Sequence, residues 1–368
     1  MAWFLPAERA TTSPAPHLLK DFVMLKTKVA RGMLLGAAAL GALAGSALSA
    51  SAQGVVNVYT NREPGLYSAT LDEFTRATGI KVNAIFSEQG LSERIKAEGE
   101  NSPADVLITV DIGRIQEAID LGIAQPVRSE AVAAAVPAHL RHPEGLWTAL
   151  SMRARSIYAS KDRVKDTALT YEGLADPKWK GKLCTRSFQH QYNIALVAAM
   201  VVKHGEAKTE EWLKGVKANL AKKPSGGDRD VAKDILAGVC DIGLGNTYYV
   251  GLMTNGTNPD QKKWAEAIRV ILPTFENGGT HVNVSGIVLA KNAPNRENAV
   301  KLIEYMTSPD AQRVFADVNY EYPVRAGIEI NSLVKSFGDL KMESMSLAEV
   351  AKNRAKASAL VDKVGFDR

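Results

Sequence analysis

Two long extended stretches constrain the fold of this chain more than any other feature. Residues 146–160 read LWTALSMRARSIYAS, and residues 280–289 read THVNVSGIVL with strong alternation of polar and apolar side chains. Runs of this kind are typical of β-strands. Before, between and after them, shorter β-rich runs alternate with amphipathic helical segments, as in parallel α/β folds. The sequence therefore predicts an α/β protein with two lobes, two crossover hinge strands and a cleft between the lobes.

The shorter segments predict how the lobes are built. Val55–Tyr59 is β-rich, and Pro64 begins a helical pattern that Gly79 ends. Between the two long stretches, the patterns predict helices over 192–204, 209–220 and 228–237 and a strand over 239–244. We expect the chain to divide into an N-lobe of residues 53–153 and 285–325 and a C-lobe of residues 154–284 and 326–368.

The first 52 residues have the pattern of a secretory signal peptide. Lys26, Lys28 and Arg31 precede an uncharged run rich in Leu, Ala and Gly, which ends in small residues at Ala52. Residues 1–23 fit neither a signal nor a domain and suggest an over-extended start. We expect export to the periplasm and no stable membrane insertion after the signal is cleaved.

The charge balance excludes one class of partner. Residues 1–52 contain five Lys/Arg and two Asp/Glu, which leaves 40 of the 45 basic and 38 of the 40 acidic residues in the remainder. Most of the net positive charge of the whole chain therefore comes from residues 1–52. There is also no Lys/Arg cluster with interleaved aromatic residues, so nucleic acid is not an expected partner.

Two cysteines, Cys184 and Cys240, are present, and neither belongs to a CxxC motif. An even number of cysteines in an exported protein favours a disulfide, and both residues stand at the start of predicted strands. A catalytic thiol is the alternative reading, although no His or Asn lies in an obvious supporting motif.

A short polar and aromatic stretch, GNTYY at residues 245–249, follows the predicted strand at 239–244. Ligands of open α/β sheets bind where strands end. A phenol becomes a hard oxygen ligand once deprotonated, and only a strongly Lewis-acidic cation brings its pKa from about 10 to below neutrality. Tyr248 and Tyr249 thus suggest a ferric iron site, whereas the alternative reading makes them ordinary core aromatics.

The chain resembles the periplasmic ferric-iron-binding proteins of ABC importers, a branch of the class II solute-binding proteins. The resemblance covers essentially all of the chain after the signal segment. It is carried by FTRATGIKV (74–82), SPADV (102–106), LSMRAR (150–155), DPKWKG (176–181), NTYY (246–249) and EYPV (321–324). It implies a periplasmic-binding-protein-like class II fold and a monomer that delivers Fe(III) to a permease and its ATPase on separate chains.

The same resemblance implies a set of metal ligands. It makes Tyr248 and Tyr249 tandem ferric ligands and places a third at Tyr192, so that three phenolates would balance a trivalent charge. Several relatives carry a His just after the first strand, where this chain has NREP at 61–64. Glu63 is a candidate replacement as a hard carboxylate ligand. In the alternative, the first lobe donates no ligand, and carbonate, another small anion or water completes the coordination.

Three arginines are candidates to hold such a synergistic anion: Arg62, Arg153 and Arg155. A planar guanidinium suits bidentate binding of an oxyanion. In the alternative reading, one of them forms a hinge salt bridge with Asp105 or Asp111.

Two other functions remain open at this point. The same fold could bind a small organic cation of the polyamine or thiamine type, or a phosphorylated solute, because tyrosine ring faces attract cations. An exported enzyme is the other alternative. The sequence shows no Ser-His-Asp arrangement, HExxH motif, phosphate loop or paired-carboxylate motif, so we expect no enzymatic activity.

Overall fold

The computed structural model describes residues 54–368. The predicted signal peptide and the suggested over-extended start therefore lie outside the described residues. Among the helices from residue 54 onward, none is long and apolar enough to cross a membrane.

One half of the sheet contains the N-terminal strands. It runs in the order β2-β1-β3-β9-β5, with short strands β4 on β9 and β10 on β5. The strands are β1 (Val55–Thr60), β2 (Lys81–Phe86), β3 (Val106–Thr109), β4 (Ala124–Gln125), β5 (Thr148–Ser160), β9 (Val282–Ala290) and β10 (Tyr322–Pro323). β1 is parallel to β2 and β3, whereas β9 is antiparallel to β3 and β5.

The other half of the sheet continues from the second part of β5. Its further strands are β6 (Leu183–Cys184), β7 (Ile242–Asn246) and β8 (Ile268–Ile271). β5 pairs with β9 from Thr148 to Ala154 and with β7 from Arg155 to Ala159. The strand thus passes from one half to the other, and β9 returns beside it. This arrangement confirms the predicted α/β fold with two lobes and two crossing strands, while the predicted residue bounds of the lobes stay a prediction.

Thirteen α-helices cover the sheet in the described part of the chain. Those preceding β6 are α1 (Ser68–Thr78), α2 (Leu91–Glu98), α3 (Ile112–Asp120) and α4 (Glu130–Ala135). The middle group is α5 (Gln191–Ala218), α6 (Asp228–Leu236), α7 (Thr247–Asn255) and α8 (Pro259–Ala267). The last group is α9 (Arg296–Met306), α10 (Pro309–Asp317), α11 (Ser332–Lys335), α12 (Leu347–Lys352) and α13 (Arg354–Val364).

The helices predicted over 192–204 and 209–220 are confirmed as the two helical parts of α5, which are separated by the non-helical backbone of Gly205 (φ 80°, ψ 168°). The structure differs from the sequence prediction in two places near the cleft. The strand predicted over 239–244 is displaced toward the C-terminus and ends at Asn246. Tyr248 and Tyr249 consequently belong to the first turn of α7 and not to an extended strand end, because Asn246 is the N-cap of that helix.

The two cysteines form a disulfide, as predicted. Cys184 lies in β6, and Cys240 precedes β7, the parallel neighbour of β6. Their Cα atoms are 5.8 Å apart, a separation within the usual range for a disulfide. The bond joins two adjacent strands beneath α6, where both cysteines are buried.

Removing this bond should destabilise the protein. Because it closes a loop over a sequence separation of 56 residues, the double variant Cys184→Ala, Cys240→Ala should lose about 4 kcal/mol of unfolding free energy. Urea denaturation followed by circular dichroism measures the difference, with the reduced wild-type protein as control. A loss smaller than about 1 kcal/mol would contradict this expectation.

Candidate metal site

A cavity of about 440 Å³ lies at the junction of the two halves of the sheet. One wall comes from the loop after β1, from α3 and from the crossing strands, and the other from the starts of α5 and α7. Its polar lining includes Asn61, Arg62, Glu63, Arg114, Arg153, Arg186, His190, Tyr192, Tyr248, Tyr249, Ser285, Glu321 and Arg354.

The three tyrosines predicted as ligands meet in this cavity. The phenol oxygens of Tyr192 and Tyr248 are 3.2 Å apart, and the ring centroids of Tyr248 and Tyr249 are 4.3 Å apart. All three side chains are buried, with 3–8% of their surface exposed. Tyr192 lies in the first turn of α5, and the tandem pair lies in the first turn of α7. The positive ends of two helix dipoles therefore favour negative charge on these phenols.

The metal-free protein keeps the phenols of Tyr248 and Tyr249 protonated. Burial raises the pKa of Tyr248 well above its usual value, and the neighbouring Tyr192 and Tyr249 raise it further. Burial also raises the pKa of Tyr249 far above 10. A cluster of buried phenols with raised pKa values becomes anionic only if a cation compensates the charge. The geometry thus provides hard oxygen ligands that a strong Lewis acid would deprotonate.

Glu63 lies at the rim of the cavity, on an exposed position of the loop after β1. Its carboxylate is close enough for its charge to contribute, after burial and other neighbours, to the raised pKa of Tyr249. The structure therefore brings Glu63 to the same cavity as the tyrosines, from the opposite wall.

Arg62 lines the cavity, but its guanidinium is already bound. It forms a buried ion pair with Glu321, donates to Ser285 Oγ at 2.5 Å and donates through Nε to the carbonyl oxygen of Leu66 at 3.1 Å. Burial alone lowers the pKa of Arg62, but Glu321 outweighs burial and raises it. Arg62 thus remains cationic and is paired with Glu321 and not with Asp105 or Asp111.

Arg153 differs from Arg62 because part of its guanidinium is unused. It lines the cavity, is 2% exposed, and donates from Nη1 to Ser285 Oγ at 3.1 Å. Its Nη2 is buried and has no hydrogen-bond partner within residues 54–368. A buried unsatisfied donor on a charged group is costly, so this position favours a bound acceptor. Among the three predicted arginines, Arg153 is the one that the structure places suitably for an anion.

Arg155 is not brought to the cavity wall. It pairs with Asp228 at 2.6 Å and donates to the side-chain oxygens of Asn193, at 2.7 Å, and Asn246, at 3.0 Å. Burial alone raises the pKa of Asp228, but Arg155 and Arg186 outweigh burial and lower it. These contacts join the starts of α5 and α6 to the end of β7, so Arg155 holds the helices that carry the tyrosines.

The sequence alone did not identify several residues that lie near the tyrosines or line the cavity. Arg186 lies 5.2 Å from the Tyr192 ring centroid, and Arg229 lies 4.6 Å from that of Tyr249. Their positions depend on folding of distant segments, and no local motif marks them. The sequence marks Glu321 only as part of the EYPV segment and gives no sign that it is the buried partner of Arg62.

His190, which also lines the cavity, caps α5 by accepting from the backbone N–H of Tyr192 at 3.3 Å. Burial and Arg186 lower its pKa to about 3, so the imidazole is neutral. From residue 54 onward, no group of three or more His, Cys, Asp or Glu side chains is arranged to hold a metal.

A two-lobed α/β fold with a polar cleft between the lobes defines an extracellular solute-binding protein. Residues 101–339 match the family model described as bacterial extracellular solute-binding protein. The chain belongs to this family, and among its members it groups with iron uptake and ferric-binding proteins, as the sequence motifs predicted.

Individual relatives show how extensive the similarity is. The chain is 45% identical over 313 residues to iron uptake protein A1 of Synechocystis, covering 84% of this chain and 87% of that protein. Its fold is similar to the solved Bordetella ferric binding protein, with a TM-score of 0.79, 56% identity, and coverage of 85% of this chain and 100% of the other. A Trichodesmium protein solved in complex with iron and citrate ligands gives a TM-score of 0.80 with 44% identity, covering 85% and 100% of the two chains.

The buried ion pair of Arg155 and Asp228 makes stability depend on pH. The variant Asp228→Asn leaves a buried cation without its counter-charge, so the unfolding free energy at pH 7 should fall by about 3 kcal/mol or more. Because the folded-state pKa of Asp228 is lowered, its stabilising effect is present above the unfolded pKa of about 3.9 and is lost as the pH falls below that value. Urea denaturation between about pH 7 and pH 3 measures both effects.

The stability of the wild-type protein should therefore fall more steeply with acid than that of Asp228→Asn. Asp234→Asn is the matched control, because Asp234 pairs with Lys222 at the surface and should contribute little. Equal pH slopes for wild type and Asp228→Asn would contradict this account.

Proposed function

We propose that this protein captures Fe(III) in the interlobe cleft through the phenolates of Tyr192, Tyr248 and Tyr249. The observation that carries the proposal is the convergence of three buried phenols, two of them with oxygens 3.2 Å apart, at the starts of two helices. Three phenolates neutralise a trivalent cation in the site. Ferric iron is a hard, strongly Lewis-acidic ion and suits anionic oxygen ligands.

The ligands other than the three tyrosines are proposed to come from the cavity wall that faces them. Glu63 is the proposed first-lobe ligand, since it is an exposed carboxylate at the cavity rim whose charge acts on Tyr249. Carbonate or another synergistic anion would accept from the unused Nη2 of Arg153. The guanidiniums of Arg62 and Arg155 are bound by Glu321 and Asp228, so their proposed role is to fix the walls of the site.

The proposed physiological role is transport. The relatives named as iron uptake and ferric-binding proteins support Fe(III) as the cargo. We infer that the protein works in the periplasm as a monomer and passes the metal to an ABC permease whose ATPase is a separate chain. Closure of the lobes over the metal would retain it, and docking would favour the open state and release it. No enzymatic activity is proposed.

The guanidiniums that lie over the tyrosine rings argue against an organic cation as the ligand. Four of them do so: Arg153, Arg155 and Arg186 over Tyr192, and Arg229 over Tyr249. A polyamine-like or thiamine-like cation binds tyrosine through the ring faces, and in this cleft those faces are already occupied by arginines.

The test is a titration of metal-free protein with ferric citrate, followed by visible absorption, in buffers with and without bicarbonate. We expect a phenolate-to-iron charge-transfer band that is weaker and shifted in Tyr192→Phe, Tyr248→Phe and Tyr249→Phe. The matched control is Tyr305→Phe, because Tyr305 packs on Phe74 away from the cavity. Dependence on bicarbonate that is lost in Arg153→Met would support the anion site.

Two results would contradict the proposal. One is a protein that stays colourless and whose melting temperature is unchanged by the ferric salt. The other is a band that persists unaltered in all three tyrosine variants. The first result would make the tyrosines the wall of a pocket for an organic or phosphorylated solute. The second would show that iron is bound by ligands other than these tyrosines.

A further inference from the structure

Three consecutive residues contact both walls of the candidate site: Asn319 and Glu321 contact the loop after β1, and Tyr320 contacts α7. Asn319 donates from Nδ2 to the carbonyl oxygen of Leu66 at 2.8 Å, and Glu321 binds the guanidinium of Arg62. Both contacts fix the loop after β1, which carries Glu63. The residue between them, Tyr320, has no role in the metal site described above, and its side chain extends to a different element.

The side chain of Tyr320 packs on α7 at Gly251, two residues after Tyr249. The approach is so close that a Cβ added at Gly251 would stand 2.5 Å from Tyr320 Cβ and nearer still to the ring. No larger residue fits at position 251 unless the ring or the helix moves. Tyr320 is also packed against the buried cluster formed by Leu66, Val110, Tyr192, Tyr248 and Tyr249.

The backbone of Tyr320 is in the left-handed region, with φ of 58°. Within residues 54–368, only Asn277 shares this property among the non-glycine residues. Asparagine tolerates this conformation, whereas a bulky aromatic residue adopts it at a cost in free energy. Such strain persists only where surrounding contacts impose it, and it is concentrated at functional sites.

The contact spans the two halves of the sheet. The segment of Tyr320 is anchored to the first half, because Glu321 N donates to the carbonyl oxygen of Phe315 at 3.1 Å and Tyr322 pairs with Met152 of β5. Helix α7 instead follows β7 in the second half. The ring of Tyr320 therefore connects the two halves of the sheet at the helix that carries the tandem tyrosines.

We propose that Tyr320 is a positioning residue for metal binding, which acts through Gly251 by setting the position of α7 relative to the loop after β1. The inference rests on the proposed Fe(III) function. With the ring in place, α7 and the loop after β1 keep Tyr248, Tyr249 and Glu63 on the walls of one cavity. When the ring is lost or displaced, the two walls of the cavity separate, although every ligand remains.

A double-mutant cycle tests this proposal. Gly251→Ala forces the ring and the helix apart, and Tyr320→Gly removes the ring while accepting φ of 58° without strain. Each single variant should raise the dissociation constant for Fe(III), measured against citrate, about tenfold or more and shift the maximum of the charge-transfer band. In the Tyr320→Gly background, Gly251→Ala should add less than about a twofold effect, because the atoms it collides with are gone.

Asn277→Gly is the matched control, since it relieves the same backbone conformation in a turn that does not line the cavity. It should leave both the affinity and the band unchanged. If Tyr320 only stabilises the fold, the variants will lower the melting temperature of metal-free protein but keep the wild-type band and affinity, and the proposal will be wrong. Additive effects in the double variant would also overturn it.

Failure of the Fe(III) proposal itself would be seen separately, as the absence of a band in the unsubstituted protein. Should Gly251→Ala not fold, Tyr320→Gly alone decides, because glycine suits the native backbone at that position. Its wild-type affinity and band would then refute the positioning role.

Discussion

The candidate site depends on the buried ion pair between Arg155 and Asp228. Arg155 lies in the crossing strand β5, and its guanidinium binds Asp228 of α6, Asn193 of α5 and Asn246 at the end of β7. Asp228 in turn accepts from the backbone N–H of Asn246 at 2.8 Å. One charge pair thus fixes the starts of the helices that carry the three tyrosines. The attraction between the two charges, together with these hydrogen bonds, offsets the free-energy cost of removing both from water.

The electrostatics around the phenols have two opposing components. Burial keeps Tyr248 and Tyr249 neutral when the site holds no cation, whereas helix N-termini and nearby guanidiniums favour anionic phenols. A trivalent cation shifts this balance, because it adds a strong attraction that is absent from the empty cleft. In the proposed Fe(III) site, this arrangement would select a hard, highly charged ion, since weaker Lewis acids would not compensate the cost of deprotonating buried phenols.

Sequence reasoning could predict the parts of this structure that depend on local pattern. The alternating runs indicated β5 and β9, and the tandem tyrosines indicated the cleft. It placed those tyrosines at a strand end, because nothing local shows that Asn246 caps a helix. It could not assign Arg155 to a supporting role or find Arg186 and Glu321, because these ion pairs join residues far apart in the chain, up to 259 positions for Arg62 and Glu321.

The most direct measurement of the central claim is resonance Raman spectroscopy of the Fe(III)-loaded protein, excited within its visible absorption band. Tyrosinate ligation predicts enhanced ring modes that shift in frequency when the protein is produced with ring-deuterated tyrosine. A loaded protein whose enhanced modes are insensitive to this labelling would contradict the account, because the iron would then be bound without phenolates from Tyr192, Tyr248 and Tyr249.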